Sequence, residues 1–313
     1  MHGNSLRQAA AQAREAEFPG LFMSGREQCG ISFKECSMSD TWKAHISLRC
    51  EERHGRTVLT ENEHEGPLVV QKVFYPEETA HVYLLHPPGG IAGCDRLETK
   101  LEAVSGSKVL LTTPGATKYY RTTDDLVSGV RQDFTVGGNA ELEILPQPNI
   151  YFIGTHTKVS TVIHAAPTGR FIFWDTAVVG SPVGKTGFDG SFFLNSISVC
   201  RMDGSGAEQL ILLEVSRVDG LRDLSARAGL GGRQCIGTLI ASNGNDEIAG
   251  AARSVLERFP EAESGATTVS GLLAVRILSS GNETVTGALR ALWTELRPLV
   301  LDKSPVAPRV WAT

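Results

Sequence analysis

The stretch Val130-Arg131-Gln132-Asp133-Phe134-Thr135-Val136 is followed by Gly137-Gly138-Asn139 and then by Ala140-Glu141-Leu142-Glu143-Ile144-Leu145. Both outer segments alternate apolar with polar residues, imperfectly in the first, a pattern typical of strands that bury one face. Gly and Asn tolerate the positive φ that tight turns need, so Gly137–Asn139 predicts a hairpin turn between paired strands. This stretch by itself indicates a β fold.

Similar apolar, β-branched segments recur between Trp42 and Val215, separated by Gly, Pro, Asn and Asp. No helical pattern interrupts them, which argues against a doubly wound α/β fold. We therefore predict a mainly β protein, a large multi-stranded sheet stack of solenoid or sandwich type. The further segments are Val69–Phe74, His81–His86, Lys108–Thr113, Asn149–Ile153, Lys158–His164, Phe171–Val179, Phe192–Arg201 and Gln209–Val215.

Two segments near the C-terminus have helical periodicity. The first runs over 246–259, with Asn245 suited to the N-cap and Pro260 barring continuation. The second runs over 285–296 and is followed by Pro298. Between them, the apolar pattern of residues 272–278 predicts a buried strand. We expect both helices to pack on one face or edge of the sheet stack and to protect its strands.

The first 40 residues differ from the rest in composition and in their lack of a regular pattern. An Ala-, Gln-, Arg- and Glu-rich segment is followed by Pro19, Gly20, Gly25 and Gly30, which break regular patterns. We interpret residues 1–40 as a flexible or partner-ordered N-terminal extension, and residues 41–313 as a single β-rich domain.

The bulk composition excludes several classes of protein. The net charge is −5, so a nucleic-acid partner is not expected, because phosphate binding needs a basic face. No apolar run reaches the roughly 18 residues of a membrane span, and no signal-peptide order is present, so we expect a cytoplasmic protein without membrane contact. The six cysteines form no C-x-x-C pair and are interpreted as free thiols.

No catalytic motif is complete. Gly184-Lys185-Thr186 lacks the loop spacing of a phosphate-binding P-loop, and Pro182 removes an N–H donor from it. The eight histidines show no metal-ligand spacing, and no nucleophile elbow is present. We predict a protein that is not an enzyme. A β-rich metal-dependent hydrolase and a generic β interaction module remain alternatives.

Three acids in predicted strands could have a functional role. Glu141 and Glu143 share one strand face, which is either solvated or an acidic lining that attracts a divalent cation. Asp175 lies within the apolar strand 171–179, where a carboxyl group needs a partner or takes a raised pKa.

The segment Tyr83–Leu97 forms a loop of fixed shape at a strand end. Pro87-Pro88 restrict the backbone, whereas Gly89-Gly90 and Gly93 permit sharp turns. Such a loop is either a structural turn or a rigid wall for docking or passage.

Several segments together resemble the UreD (also called UreH) family of urease accessory proteins. They occur in the family's order and extend over about residues 42–313. The segments are Gly66–Lys72 with Phe74–Glu77, Tyr83–Ile91 with Gly93 and Asp95–Leu97, Leu111–Arg121, Leu142–Gln147, and Lys303–Val306 with Pro308–Thr313.

The resemblance implies a scaffold for nickel insertion into apo-urease. Such a scaffold would bridge the urease structural subunits to UreF and, through UreF, to the GTPase UreG. The resemblance also implies a transient Ni²⁺ passage and no tightly bound cofactor. The residues that we expect to contact nickel on this route are His86, Cys94, Asp95, Glu141, Glu143 and Asp175.

The chain departs from the family pattern at two places. Cys94 stands where the family usually has glycine, and it is either a neutral small residue or an added thiolate ligand. Ser181 replaces an arginine, and Lys185-Thr186 stands where Gly-Glu is usual. The second departure puts an anionic metal contact or a partner salt bridge at that loop in doubt.

Overall fold

Most strands are long, closely spaced and concentrated in the first two thirds of the chain. A computed structural model describes residues 42–123, 126–180, 187–203 and 207–312. The strands are β1 Lys43–Arg53, β2 Arg56–Glu65, β3 Val69–Phe74, β4 Ala80–Leu85, β5 Arg96–Ala103, β6 Lys108–Thr112, β7 Thr117–Tyr119, β8 Ser128–Val136, β9 Glu141–Ile144, β10 Asn149–Tyr151, β11 His156–Ala165, β12 Arg170–Val179, β13 Phe192–Met202, β14 Glu208–Asp219, β15 Cys235–Ala241, β16 Glu263–Val269 and β17 Leu272–Ser279.

The strands form two sheets. In the described part of the chain, sheet A has seven strands in the order β14-β13-β11-β8-β5-β1-β2. Sheet B has ten, in the order β16-β17-β15-β12-β9-β6-β4-β3, with the short strands β7 and β10 at its side. The central strands of both sheets are parallel, whereas the strands toward the ends pair antiparallel. The prediction of a mainly β sheet stack is confirmed.

The chain winds between the sheets like a solenoid. From β4 to β13, each strand or short strand pair in sheet B is followed by one strand in sheet A. Successive strands of one sheet therefore lie a full turn apart, which is why they pair in parallel.

The predicted hairpin at Gly137–Asn139 is wrong. β8 belongs to sheet A and β9 to sheet B, so these residues form a corner between layers. The corner stacks on the preceding one, since the Gly137 N–H donates to Ala103 O at 2.8 Å. A Cβ on Gly137 would lie 2.6 Å from Ser105 N. The glycine is needed for close stacking of corners, and a hairpin turn and a corner use the same permissive residues.

The core between the sheets consists of the inward residues of both. Phe134 and Ile163 of sheet A meet Leu142 and Phe173 of sheet B, and all are buried. The alternation of burial along β8 follows from this, because only one side of that strand faces the opposite sheet, whereas β9 is buried on both faces.

A helical layer covers the other face of sheet B. The helices of the described residues are α1 Gly220–Ser225, α2 Asp246–Leu256 and α3 Asn282–Leu301, with a 3₁₀ turn at Arg309–Ala312. Asn245 caps α2, since its side chain accepts from Ile248 N at 2.9 Å. A second core lies between this layer and sheet B. Both predicted helices and their packing on the sheet are confirmed.

Two details of the helical prediction differ from the structure. α3 begins three residues earlier than predicted and continues through Pro298 to Leu301. It ends at Asp302, which has a positive φ of 57°. A proline tolerated in the last turn loses one hydrogen bond, and packing of Val300 and Leu301 in the second core compensates for this loss. None of the helices among the described residues is long and apolar enough to cross a membrane.

Candidate functional site

Glu141 and Glu143 lie on β9 and share one face, as predicted, but that face is covered by the helical layer. Glu143 is 1 % exposed and accepts a hydrogen bond from Trp293 Nε1 at 2.6 Å. Arg297 Nη2 lies 2.9 Å from Glu143 Oε1. Both partners belong to α3, so the carboxylate joins the sheet to the helix.

The neighbouring charges extend this contact into a buried charge cluster of three acids and three cations. Glu141 lies 2.6 Å from Arg170 Nη2 and 2.6 Å from Lys303 Nζ. Arg297 also pairs with Glu77. The cluster consists of Glu77, Glu141, Glu143, Arg170, Arg297 and Lys303. Each of its carboxylates contacts at least one cation, and Asp302 and Glu78 at its edge also contact Arg170 and Lys303.

Two opposing effects set the pKa values in this cluster. Burial disfavours the charged forms, and ion pairing favours them. Burial raises the pKa of the Glu143 carboxyl, and the ion pair with Arg297 opposes that rise. Burial also disfavours the charged guanidinium of Arg297, but Glu143 and Glu77 outweigh it and raise the pKa of Arg297. We interpret the pair as charged and mutually stabilised.

The expectation of a solvated face at Glu141 and Glu143 is therefore wrong, because both residues are buried, and the cation-attracting alternative stays a prediction. The face is neither open to solvent nor short of positive charge. A divalent cation would have to displace arginine and lysine from these carboxylates. The two acids support the packing of α3, and sequence distance hid this, since Arg297 is 154 residues from Glu143.

Asp175 lies on the opposite face of sheet B, between the two sheets. Its neighbours on that face, Phe173 and Ala177, belong to the core between the sheets. Asn149 Nδ2 donates to Asp175 Oδ1 at 2.8 Å, and Asn195 Nδ2 of sheet A donates to Oδ2 at 2.8 Å. The carboxyl group thus has the partners that a buried acid needs.

A break in sheet B explains why a polar group can lie at this point. β12 pairs with β9 up to Phe173 and with β10 from Ala177 onward. Between them the chain runs through Leu145–Pro148 without pairing to β12. Residue 175 keeps some accessible surface although Trp174 and Thr176 are buried. Asp175 therefore lies beside an interruption of the sheet.

The surroundings of Asp175 are aromatic as well as polar. Burial raises the pKa of the Asp175 carboxyl to about 6, and the two asparagine donors oppose the rise. Burial also raises the pKa of Tyr119 and of Tyr151, and the Asp175 charge adds to both effects. The two rings stack with centroids 4.6 Å apart. We call Tyr119, Asn149, Tyr151, Asp175 and Asn195 the interior polar cluster.

The loop with His86, Cys94 and Asp95 packs beside this cluster. Asp95 Oδ2 accepts from Ala92 N at 2.9 Å, which closes the turn. Burial lowers the pKa of His86, and the Asp95 charge opposes this. Ile91 N donates to Lys118 O at 2.7 Å, and Ile91 forms a bridge with Tyr119. The loop is thereby tied to β7, whose Tyr119 belongs to the interior polar cluster.

Cys94 is 2 % exposed and disulfide-bonded, so the expectation of free thiols does not hold for it. Cys50, Cys200 and Cys235 are free of disulfides, as expected. A disulfide-bonded sulfur offers no thiolate, so Cys94 can act as a metal ligand only after reduction.

The six residues that the sequence analysis expected to contact nickel lie in three separate places in the structure. Glu141 and Glu143 lie in the buried charge cluster, Asp175 in the interior polar cluster, and His86, Cys94 and Asp95 in the loop beside β7. Among the described residues, none of the six belongs to a group of three close metal-ligand side chains. The departures at Ser181 and Lys185-Thr186, and the failed P-loop, lie outside the described residues.

Comparison with known proteins identifies the family of the chain. The family model described as "UreD urease accessory protein" matches residues 42–312. This chain belongs to the UreD family. Two relatives named "Urease accessory protein UreD" illustrate the similarity. The protein from Klebsiella aerogenes is 37 % identical over 273 residues, which cover 87 % of this chain and 97 % of the relative. The protein from Pseudomonas entomophila (strain L48) is 35 % identical over 273 residues, which cover 87 % of this chain and 95 % of the relative.

Membership of the UreD family bears directly on catalysis. UreD proteins are accessory proteins of urease and are not catalytic enzymes. The sequence-based prediction that the chain is not an enzyme is confirmed by the family, and the hydrolase alternative loses its support.

Sequence reasoning missed the polar residues around Asp175. Asn149 and Asn195 lie in predicted strands, and each offered only the weak signal of an amide within an apolar run. Tyr119 and Tyr151 likewise showed no spacing that would join them. The four residues come from β7, β10 and β13, and only the winding of the chain brings them to β12.

Proposed function

We propose that this chain is a scaffold for nickel insertion into apo-urease and that nickel passes between its two sheets at Asp175. The family match supports the role in urease maturation. The observation that carries the route is the position of Asp175, a residue that keeps some accessible surface and lies beside a break in sheet B.

The chemistry around Asp175 suits a transient metal contact. One carboxylate and the amide oxygens of Asn149 and Asn195 are oxygen donors, which hold a divalent cation weakly and exchange it. Asn195 Oδ1 has no hydrogen-bond partner among the described residues, although it is buried. An acceptor left in this state is available to a passing cation or its hydration water. No tightly bound cofactor is part of this proposal.

The loop of His86 and Asp95 supports the route from one side. It is fixed by its own turn and by pairing with β7, so it offers a rigid wall beside the interior polar cluster. The buried charge cluster plays a different part in the proposal. Because its acids are already paired with cations, the cluster holds α3 on sheet B. In this proposal it does not contact nickel, and the route runs past Asp175.

The partners follow from the same role. We propose that the chain bridges the urease structural subunits to UreF and, through UreF, to UreG, in the cytoplasm. The test is co-purification of the tagged full-length chain with UreF and the urease subunits from cells that express all components. Apo-urease that reached full nickel-dependent activity in cells lacking this chain would overturn the scaffold role.

The route is tested separately by Asp175→Asn in the full-length chain, co-expressed with urease and its partners. We expect the variant to co-purify normally but to leave urease with much less nickel, measured by elemental analysis of purified urease. Glu257→Gln, an exposed acid at the end of α2, is the matched control and should leave nickel loading unchanged. Normal loading with Asp175→Asn would exclude this residue from the route.

A further inference from the structure

A second group of metal-ligand side chains lies on the outer face of sheet A, away from the interior polar cluster. His164 comes from β11, Cys200 from β13 and Glu208 from the first position of β14. One ligand atom from each residue lies within 4.8 Å of the other two. We infer that these three residues form a binding site for a divalent transition metal of the zinc class. The inference does not rest on the proposed nickel route.

The strand pairing explains how the three side chains meet. β11 and β13 are parallel, and His164 is paired with Cys200 in their register. Their neighbours Ile163 and Val199 point into the core between the sheets, so His164 and Cys200 point outward. The pairing of β13 with β14 shifts between Val199 and Cys200. Such an irregularity re-aims side chains, and here Glu208 turns toward His164.

The histidine has the environment of a metal ligand. Its Nδ1 atom lies 2.8 Å from Glu208 Oε1, and its Nε2 atom lies 3.4 Å from Asp133 Oδ1. A metal-bound histidine usually donates its second ring N–H to a carboxylate, which fixes the ring and strengthens the ligand. With the metal on Nδ1, beside Cys200 and Glu208, Asp133 occupies that supporting position.

The ligand set indicates the kind of ion. Thiolate and imidazole prefer Zn²⁺ and its borderline neighbours Co²⁺ and Ni²⁺ to Mg²⁺ or Ca²⁺, which prefer oxygen. His164 and Cys200 are 6 % and 5 % exposed, whereas Glu208 is on the exposed side. A metal could therefore enter from the Glu208 side. Three protein ligands leave a fourth position for water or for an exchanging ligand.

A hydrogen bond between His164 and Glu208 alone is the competing explanation of this geometry. It accounts for the 2.8 Å contact and requires no metal at the thiol of Cys200. The two explanations differ in whether the sulfur binds metal, and Co²⁺ reports this directly, since a thiolate ligand gives an intense near-ultraviolet charge-transfer band.

The experiment is a Co²⁺ titration of the full-length chain, purified anaerobically without reductant so that the Cys94 disulfide stays closed, followed by competition with Zn²⁺. We expect a thiolate-to-cobalt band that saturates at one equivalent and is abolished by Zn²⁺. Cys200→Ser should remove the band, and Glu208→Gln should weaken Co²⁺ binding at least about tenfold. Asp133→Asn should weaken binding by roughly 10–100-fold, as loss of a supporting carboxylate does.

Cys235→Ser is the matched control, because Cys235 is also a buried free thiol but lies in sheet B, remote from these ligands. It should keep the band. A band that persists in Cys200→Ser, or a wild-type chain without one, would overturn the site. Should Cys200→Ser fold poorly, judged by its circular dichroism, the exposed Glu208→Gln decides the question by affinity alone. Neither result depends on nickel loading of urease, so this site and the Asp175 route can fail independently.

Discussion

At the scale of single residues, the Asp175 carboxyl group beside the break in sheet B has a shifted pKa. Its carboxyl group has a pKa of about 6 in the folded chain, against an ordinary value of 3.8, mainly because of burial. The folded state therefore binds a proton more tightly than the unfolded state. Between these two values, the folded protein holds more protons, so stability falls as the pH rises.

We predict that Asp175→Asn removes this pH dependence. The wild type should lose on the order of 3 kcal/mol relative to the variant between pH 4 and pH 7, given about 1.4 kcal/mol per pH unit of pKa difference. Urea unfolding of both proteins at several pH values measures this, and other carboxyl groups cancel in the difference. A difference that stays constant with pH would contradict the assignment.

Gly90 shows the second kind of residue-level constraint, close approach of two backbones. A Cβ at this position would lie 2.6 Å from Lys118 O and would overlap the Tyr120 ring. Gly89 has open space at the same atom. We predict that Gly90→Ala destabilises the protein by about 1–3 kcal/mol, whereas Gly89→Ala changes stability little. Thermal and urea unfolding of the two variants, which differ by one position, make the comparison.

At the scale of elements, α3 is held on sheet B in two ways: by apolar packing in the second core and by the ion pairs of Arg297. Its apolar stripe contributes Val285, Leu289 and Leu292 to the second core, while Arg297 ties it to Glu143 and Glu77. Arg297 is fully buried, so removing it leaves the carboxylates of Glu77 and Glu143 without their guanidinium partner. Breaking a buried pair from one side is costly, even where the pair itself adds little net stability.

We predict that Arg297→Met lowers the free energy of unfolding by about 3–5 kcal/mol. Arg222→Met is the control, because Arg222 is 81 % exposed and pairs only with its neighbour Asp223 among the described residues. The control should stay within about 0.5 kcal/mol of the wild type. Urea denaturation followed by tryptophan fluorescence is suitable, since Trp293 contacts Glu143. Equal stability of the two variants would refute the role of the cluster.

The elements also show where local sequence signals suffice. Asn245 predicted the start of α2, because an N-cap acts on a neighbouring N–H. Pro298 did not end α3, because burial of Val300 and Leu301 against sheet B outweighs the lost hydrogen bond. Gly137 correctly predicted a change of chain direction but not its type. The same residues occur in a hairpin turn and in a corner between two sheets.

At the scale of the whole molecule, the two sheets and the helical layer are joined by two cores with sheet B between them. The central strands β8 and β11 are paired on both sides, whereas β14 is at one end of sheet A and mostly exposed. Local opening requires less free energy where fewer buried contacts are lost.

We predict that the amides of β14 exchange hydrogen much faster than those of β8 and β11 in the isolated full-length chain. Hydrogen exchange followed by mass spectrometry measures the order. Peptides from β14 that were protected as strongly as those from β11 would contradict the prediction and would indicate that the edge is covered.

The sequence by itself determined the β class, most strands, the cap of α2 and the resemblance to the UreD family, because these depend on local periodicity, on turn residues and on matched segments. Tertiary structure alone decided which face of each strand is covered. It placed Glu143 against Arg297, Asp175 beside a break in sheet B, and His164 beside Cys200 and Glu208. The physical reason is the winding of the chain. Contacts between successive turns join residues far apart in sequence, and alternation along one strand carries no information about its neighbours.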